Sequence, residues 1–167
     1  AARSTAATTL PLGGLRLIDT SGAKLDRAVE IVDGSVADVP WISAGEGRTF
    51  YAVGGTWRSL AKLHMDQRKY PLRVMHGYAM SLQECVAFCE SILRAKKITD
   101  VRGIDGVARA RREVLPYGAL VLERVLRRMK PREVVFSVFG VREGLVFSLL
   151  SPAERARDPL LAFCEDH

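Results

Sequence analysis

The sequence has few cysteines and histidines, and neither set is spaced like a structural site. Three of each occur in 167 residues, which makes a disulfide framework or a zinc site a poor fit. Cys85 and Cys89 lie four residues apart in the apolar stripe of one predicted helix, and Cys164 stands apart from them. Because such a stripe faces the core, we expect reduced, buried thiols and no metal ligand from this chain.

Long apolar runs are also missing. The longest, such as Val134 to Val141, are too short to span a bilayer, and no charged start, apolar stretch and cleavage site mark export. We therefore expect a cytoplasmic protein without a membrane partner. Because 48% of the residues are hydrophobic, a chain of this length can bury a core, and residues 1–167 fit one domain.

The charge is unbalanced, with a net value of +6, and 12 of the 25 lysines and arginines are concentrated between Arg94 and Arg132. Excess positive charge attracts polyanions, so nucleic acid, polyphosphate and nucleotides are candidate partners. A solvated helix face is the alternative. Nucleic acid is the least favoured partner, because aromatic residues do not interleave with the arginines of 109–132 and the sequence contains no known motif for nucleic-acid recognition.

Two segments have the pattern strand, glycine turn, helix. Thr49 to Val53 is a short β-prone run that stops at Gly54-Gly55, and Thr56 is the expected N-cap of the helix that follows. Such a turn directs free backbone N–H groups and the positive end of the helix dipole at one point, which suits a phosphate. A tight turn without a ligand is the alternative. Glu133 to Val138, followed by Gly140, repeats the pattern.

The rest of the chain alternates predicted strands and helices. Ser21 is a candidate cap for the first helix, Asp33-Gly34 allows that helix an early end, Ser81 and Glu84 form a capping box, and Pro116 predicts a kink or a break. This order predicts an α/β layer whose two best strands are parallel, with both glycine turns at one edge. The other predicted elements are a linker over 1–7, an edge strand over Thr8–Ile18, a helix over Leu25–Val36, a loop over 39–48, an extended connection over 70–78, a helical insertion over 81–95, a helix over 107–129 and the start of a following helical segment over 151–167.

Five short motifs occur in a fixed order: Leu10–Leu17, Val53–Thr56, Tyr70–Tyr78, Arg111–Ala119 and Val141–Gly144. Together they resemble the exopolyphosphatase and guanosine pentaphosphate phosphohydrolase family, a branch of the sugar kinase, Hsp70 and actin superfamily. The resemblance implies a ribonuclease H-like (actin-like ATPase) half-domain with a helical insertion. It also implies that this half-domain is incomplete at its N-terminus, because the family's first domain and phosphate loop do not precede Leu10.

The resemblance implies that water attacks the terminal phosphoryl group of inorganic polyphosphate or of guanosine pentaphosphate. It also implies inorganic polyphosphate or guanosine penta- or tetraphosphate as binding partners. Mg²⁺ would assist, with ligands mostly outside this chain. The catalytic glutamate belongs to the missing first actin-like domain, so this chain would hold no catalytic residue and hydrolyse nothing alone. Carried over by position, the substrate and phosphate contacts are Gly54, Gly55, Thr56, Arg111, Arg142 and Glu143.

Each of these residues also has a purely structural interpretation. Thr56 would only cap a helix, Arg111 would pair with Glu113 or a neighbour, and Arg142 and Glu143 would only connect the last turn to its helix. Position 113 is a glutamate where the family usually has an aspartate. A homodimer is a further expected partner. For the function, the alternative is a regulatory module that binds nucleotide or polyphosphate without hydrolysing it.

Overall fold

The computed structural model describes residues 6–72 and 74–157, and these form three strands and eight α-helices. The strands are β1 (Thr49–Val53), β2 (Tyr78–Ser81) and β3 (Glu133–Ser137). The helices are α1 (Gly14–Ser21), α2 (Leu25–Ala37), α3 (Gly55–Gln67), α4 (Leu82–Leu93), α5 (Arg109–Arg112), α6 (Leu115–Met129), α7 (Val141–Leu149) and α8 (Pro152–Ala156). Short 3-10 helices cover Ile42–Gly45, Ile98–Asp100 and Ile104–Gly106.

The three strands form one sheet in the order β1-β3-β2. β1 runs parallel to β3, with Thr49 opposite Glu133 and Val53 opposite Ser137, and β2 runs antiparallel to β3. The carboxyl ends of β1 and β3 therefore meet at one edge of the sheet. This confirms the prediction that the two best strands are parallel and that both glycine turns lie at that edge.

One face of the sheet is covered by helices. Ala52, Val134 and Phe136 are fully buried in a core to which α3, α4 and α6 contribute, and a second apolar cluster joins α1 and α2 to α6. On the opposite face, the side chains of Tyr51 and Val53 are 65% and 43% exposed. Because alternate residues of a strand point to opposite faces, the described residues leave much of this second face open.

The predicted edge strand over Thr8–Ile18 is wrong. The chain is irregular up to Gly13, and α1 begins at Gly14. The apolar residues of this stretch fit a helical spacing as well as an alternating one. Leu17 is completely buried in the cluster with α2 and α6, and this packing favours the helix.

The helix predicted over Leu25–Val36 is confirmed as α2 (Leu25–Ala37), whereas its candidate cap, Ser21, and its candidate early end at Asp33-Gly34 are wrong. Ser21 is the last residue of α1, and the N-cap of α2 is Lys24. At the other end, α2 continues through Asp33-Gly34 to Ala37, with Val36 buried in its last turn. The burial of that turn outweighs the cost of one helical glycine, which is about 1 kcal/mol.

The later helices agree better with the predictions. The Oγ of Ser81 accepts a hydrogen bond from the backbone N–H of Glu84 at the start of α4. The helix predicted over 107–129 is two helices, and Pro116 lies in the first turn of α6, where a missing N–H has little cost. β2 is absent from the prediction because four residues of modest β-propensity become a strand here by pairing with β3.

Cys85 and Cys89 are free and fully buried, as predicted. Cys164 and the end of the segment predicted over 151–167 lie outside the described residues. Within the described ranges, no group of three or more His, Cys, Asp or Glu side chains is arranged to hold a metal ion. None of the described helices is long and apolar enough to cross a membrane.

Candidate functional site

The first glycine turn joins β1 directly to α3. Gly54 is the N-cap of α3 and has φ +129°, a conformation that side chains rarely allow, and no side chain caps the helix. The prediction that Thr56 is the N-cap is therefore wrong, because the helix already begins at Gly55. An uncapped helix start leaves backbone N–H groups free for a ligand or water. This turn thus has the unused donors that an anion requires.

A cavity of about 190 Å³ opens beside this turn. Its walls come from the turn itself, from the start of α1 and from α6. Helix α1 also begins at a glycine, Gly13, without a side-chain cap, so two uncapped helix starts face the same space. The lining residues are Leu12, Gly13, Gly14, Val53, Gly54, Gly55, Thr56, Trp57, Gly118 and Val121.

Close packing against α6 holds the first turn in place. A Cβ added at Gly118 would lie 2.3 Å from Cγ2 of Thr56, so only glycine allows the two helices to approach this closely. The indole N–H of Trp57 donates a hydrogen bond of 3.1 Å to the carbonyl of Gly118. Sequence reasoning missed Gly13 and Gly118 as site residues, although both belong to the motifs of the resemblance.

Arg111 is brought to the first turn from a distant part of the chain. Its Nη1 donates to the carbonyl of Gly55 at 3.3 Å and to Oγ of Ser59 at 3.4 Å, and the side chain remains exposed. The alternative of a pair with Glu113 is absent from the ion pairs of the described residues. Helix α5 therefore places one cation over the start of α3, where it extends the positive field of the backbone donors.

The second glycine turn, between β3 and α7, is closed by its own chain. Oε2 of Glu143 accepts a hydrogen bond of 2.7 Å from the backbone N–H of Gly140. Hydrogen bonds from the backbone N–H groups of Glu143 and Gly140 lower the pKa of this carboxyl, and the charges of Arg142 and Arg58 lower it further. Glu143 thus performs the structural role that was set beside its substrate role, while Arg142 is exposed on the first turn of α7.

The two turns are neighbours. A Cβ added at Gly140 would lie 3.9 Å from Cγ1 of Val53, and Arg58 on α3 interacts electrostatically with Glu143 on α7. All six predicted site residues therefore lie on the segments that meet at this edge. Sequence reasoning missed Arg58, for which the position two residues after the Gly54-Gly55-Thr56 motif was the available signal.

Chemically, this edge suits the binding of an anion. It combines backbone N–H groups and arginines, which stabilise negative charge on phosphoryl oxygens. The acidic side chain on the second turn, Glu143, already accepts a backbone hydrogen bond.

Known proteins match most of the chain. The Ppx/GppA phosphatase family matches residues 20–153. Retrograde regulation protein 2 of Saccharomyces cerevisiae is 31% identical over 121 residues, which are 69% of this chain and 21% of that protein. The type II variant of the Aquifex aeolicus Ppx/GppA phosphatase is 20% identical with a TM-score of 0.64, over 84% of this chain and 48% of that one. An exopolyphosphatase from Cytophaga hutchinsonii is 19% identical with a TM-score of 0.63, over 82% and 47%.

The sheet, its helices and these solved structures define an α/β fold of the actin-like type. The chain belongs to the Ppx/GppA phosphatase family, a family of phosphatase-type hydrolases, and the resemblance seen in the sequence is confirmed. It spans about a fifth of the length of the yeast relative and about half of the solved structures.

Proposed function

We propose that this chain is the phosphate-binding half of an exopolyphosphatase-type phosphohydrolase. The substrate would be inorganic polyphosphate or guanosine pentaphosphate, from which water releases the terminal phosphate. The carrying observation is the first glycine turn, where uncapped backbone donors at Gly54 and Gly55, a cavity and the guanidinium of Arg111 converge. Phosphoryl transfer depends on such positioning and charge stabilisation more than on covalent catalysis.

The catalytic glutamate and most Mg²⁺ ligands would come from a first actin-like domain outside this chain. Two observations support this part of the proposal. This chain covers 48% of the Aquifex aeolicus structure, which leaves about half of that protein unmatched. In addition, Tyr51, Val53 and the apolar side chains of α7 are exposed, and extended apolar surface of this kind indicates an interaction site. We propose that the first domain covers this surface and closes the cleft.

A titration with tripolyphosphate, followed by NMR of the backbone amides, tests the binding site. We expect the largest shifts at Gly54–Thr56. Gly55→Ala should weaken binding about tenfold, because the added Cβ lies between the turn and the Arg111 guanidinium, where a phosphate that both contact would bind. A Cβ at Gly55 would meet the Arg111 guanidinium at an ordinary 3.6 Å, so the fold should tolerate this change.

Gly144→Ala is the matched control, since a Cβ added there has no heavy atom within 4 Å and the residue lies on α7. It should leave tripolyphosphate affinity unchanged. If the Gly55→Ala variant and the unmodified chain bound tripolyphosphate with equal affinity, the first turn would be only a tight turn without a ligand.

Hydrolysis is tested separately, by phosphate release from polyphosphate in the presence of Mg²⁺. Because the first domain would hold the catalytic glutamate, the 167-residue chain alone should release no phosphate above background. Turnover by the purified chain would contradict this division of roles.

A regulatory module that binds nucleotide or polyphosphate without hydrolysis is the second candidate function. The observation that favours it is the 31% identity to a yeast protein named for retrograde regulation. The deciding assay is phosphate release by the intact protein: binding of tripolyphosphate without any turnover would support the regulatory function. A salt series with duplex DNA serves as a specificity control, because nucleic-acid binding would require comparable affinity for DNA.

A further inference from the structure

We propose that Arg58 is a second cationic contact of this site and makes it select chains of linked phosphates over single phosphate. The inference rests on the proposed function, because it assumes that an anion binds at the first glycine turn. Arg58 lies in the first turn of α3, where its backbone N–H donates to the carbonyl of Gly54 at 2.9 Å. Its side chain thus starts directly beside the proposed phosphate position.

The guanidinium of Arg58 has no protein partner that would explain its position. The side chain is half-buried, yet among the residues described it takes part in no side-chain hydrogen bond, and no carboxylate lies within the 4.0 Å of an ion pair. Three arginines of other helices differ from it: Arg112, Arg124 and Arg127 each pair with a carboxylate. Five N–H donors at the edge of the site are therefore free for an anion or water.

The Arg58 side chain lies within electrostatic range of the second turn. It is close enough to Glu143 for its charge to help lower the pKa of that carboxyl, and Glu143 contacts the N–H of Gly140 in the second turn. Arg111, in contrast, contacts Gly55 in the first turn. Arg111 therefore serves the first turn, whereas the charge of Arg58 also reaches the second.

The closed state of the second turn makes Arg58 necessary for a longer ligand. Glu143 already accepts the N–H of Gly140 and adds a negative charge there, so the backbone offers an anion little at this point. A single phosphate needs only the first turn and Arg111. A chain of two or more phosphates that extends toward the second turn requires a cation against Glu143, and Arg58 supplies it.

Calorimetric titrations with orthophosphate, pyrophosphate and tripolyphosphate at constant ionic strength test this inference. Arg58→Gln should weaken tripolyphosphate binding about tenfold, the loss expected for one charge-assisted contact, and leave orthophosphate binding nearly unchanged. Arg58→Lys should retain part of the preference, because it keeps the charge without the planar fork. A melting curve of each variant verifies that it is folded.

Arg128→Gln is the matched control, because Arg128 is an exposed arginine of α6 without an ion pair among the described residues. Its loss should change the affinity for all three anions slightly and equally. The inference is overturned if Arg58→Gln weakens orthophosphate and tripolyphosphate to the same extent, or neither. If the unmodified chain binds none of the three anions, the proposed function itself fails. If it binds them and Arg58→Gln keeps its preference, only the inference fails.

Discussion

The two glycine turns end parallel strands at the same edge of one sheet, and their surroundings are opposite. At the first turn, no side chain caps the helix after Gly54, and α6 packs tightly against Thr56. At the second, Glu143 occupies the N–H of Gly140. The same sequence pattern therefore leaves backbone N–H groups free at the first turn and hydrogen-bonded at the second. The decisive residue is the third of the helix, which is a tryptophan in α3 and a capping glutamate in α7.

The helices that follow the turns differ in the same way. α3 buries Leu60, Ala61 and Leu63 in the core, so packing against the core fixes its position. α7 has no buried residue, and its apolar side chains face solvent or whatever covers them. A rigid site requires the first arrangement, because an anion-binding turn loses affinity when its donors move. The second arrangement suits a surface that is completed by another domain.

The largest expected effect comes from shortening one leucine in each helix. Leu60 is 1% exposed and Leu145 is 63% exposed. Leu60→Ala should lower the free energy of unfolding by about 2–5 kcal/mol through lost burial and a cavity, whereas Leu145→Ala should change it by less than about 0.5 kcal/mol. Urea denaturation followed by circular dichroism measures both. A comparable loss for Leu145→Ala would show that α7 is packed in solution, for example against a second copy.

Gly118→Ala tests whether the first turn is as tightly packed as the structure indicates. The added Cβ would lie 2.3 Å from Cγ2 of Thr56, so we expect a loss of about 1–3 kcal/mol from overpacking. Thr56→Ser removes that methyl group and should recover part of the loss in the double variant. Gly144→Ala, with no neighbour within 4 Å, should be neutral or slightly stabilising. Simple additivity of the two changes at 118 and 56 would contradict the contact.

The sequence predicts well what depends on local patterns. The strands before Gly54 and Gly140, the Ser81 N-cap of α4 and the parallel arrangement of β1 and β3 all follow from short stretches and are confirmed. The second half of the predicted capping box, from Glu84 back to the N–H of Ser81, is absent from the hydrogen bonds of the described residues. The helix α1 was mistaken for a strand because Leu17 fits both periods and only its burial against α2 and α6 decides.

The site is less predictable than the fold, because its contacts are long-range. Arg111 reaches Gly55 across 56 positions of the chain, and nothing near either residue indicates their contact; only the resemblance brought Arg111 into consideration. Arg58 was missed for a different reason. A single arginine in a helix is most simply a solvated charge, and its position between two turns becomes visible only when the sheet is assembled.

Acidification should destabilise the region around α3, which follows the first turn, at a higher pH than it affects the second turn. His64 in α3 is 5% exposed and its Nδ1 lies 2.8 Å from Oη of Tyr78. Burial lowers the pKa of His64 from its usual value near 6.5, an effect that Glu84 opposes and Arg68 reinforces. The unfolded chain therefore binds a proton at His64 more readily than the folded one. This contribution to stability is complete above about pH 6.5 and is lost as the pH falls toward the lowered pKa.

Urea denaturation at intervals between pH 8 and pH 5 measures this effect. Stability of the unmodified chain should decline below about pH 6.5, and His64→Gln should flatten that decline. His76→Gln is the control, since His76 is exposed and should leave the slope unchanged. An identical decline in the His64→Gln variant would assign the pH dependence to other groups.

The smallest expected effect is local to the second turn. Glu143→Ala removes the acceptor of the Gly140 N–H, so hydrogen exchange measured by NMR should become faster at Gly140 and remain unchanged at Gly54. In the unmodified chain the same contact should survive acidification below the usual glutamate pKa of about 4.3, since hydrogen bonding lowers the pKa of Glu143. An unchanged exchange rate at Gly140 would mean that Glu143 does not close this turn. If the freed amide of the variant then shifts with tripolyphosphate as Gly54 does, the capping glutamate alone accounts for the difference between the two turns.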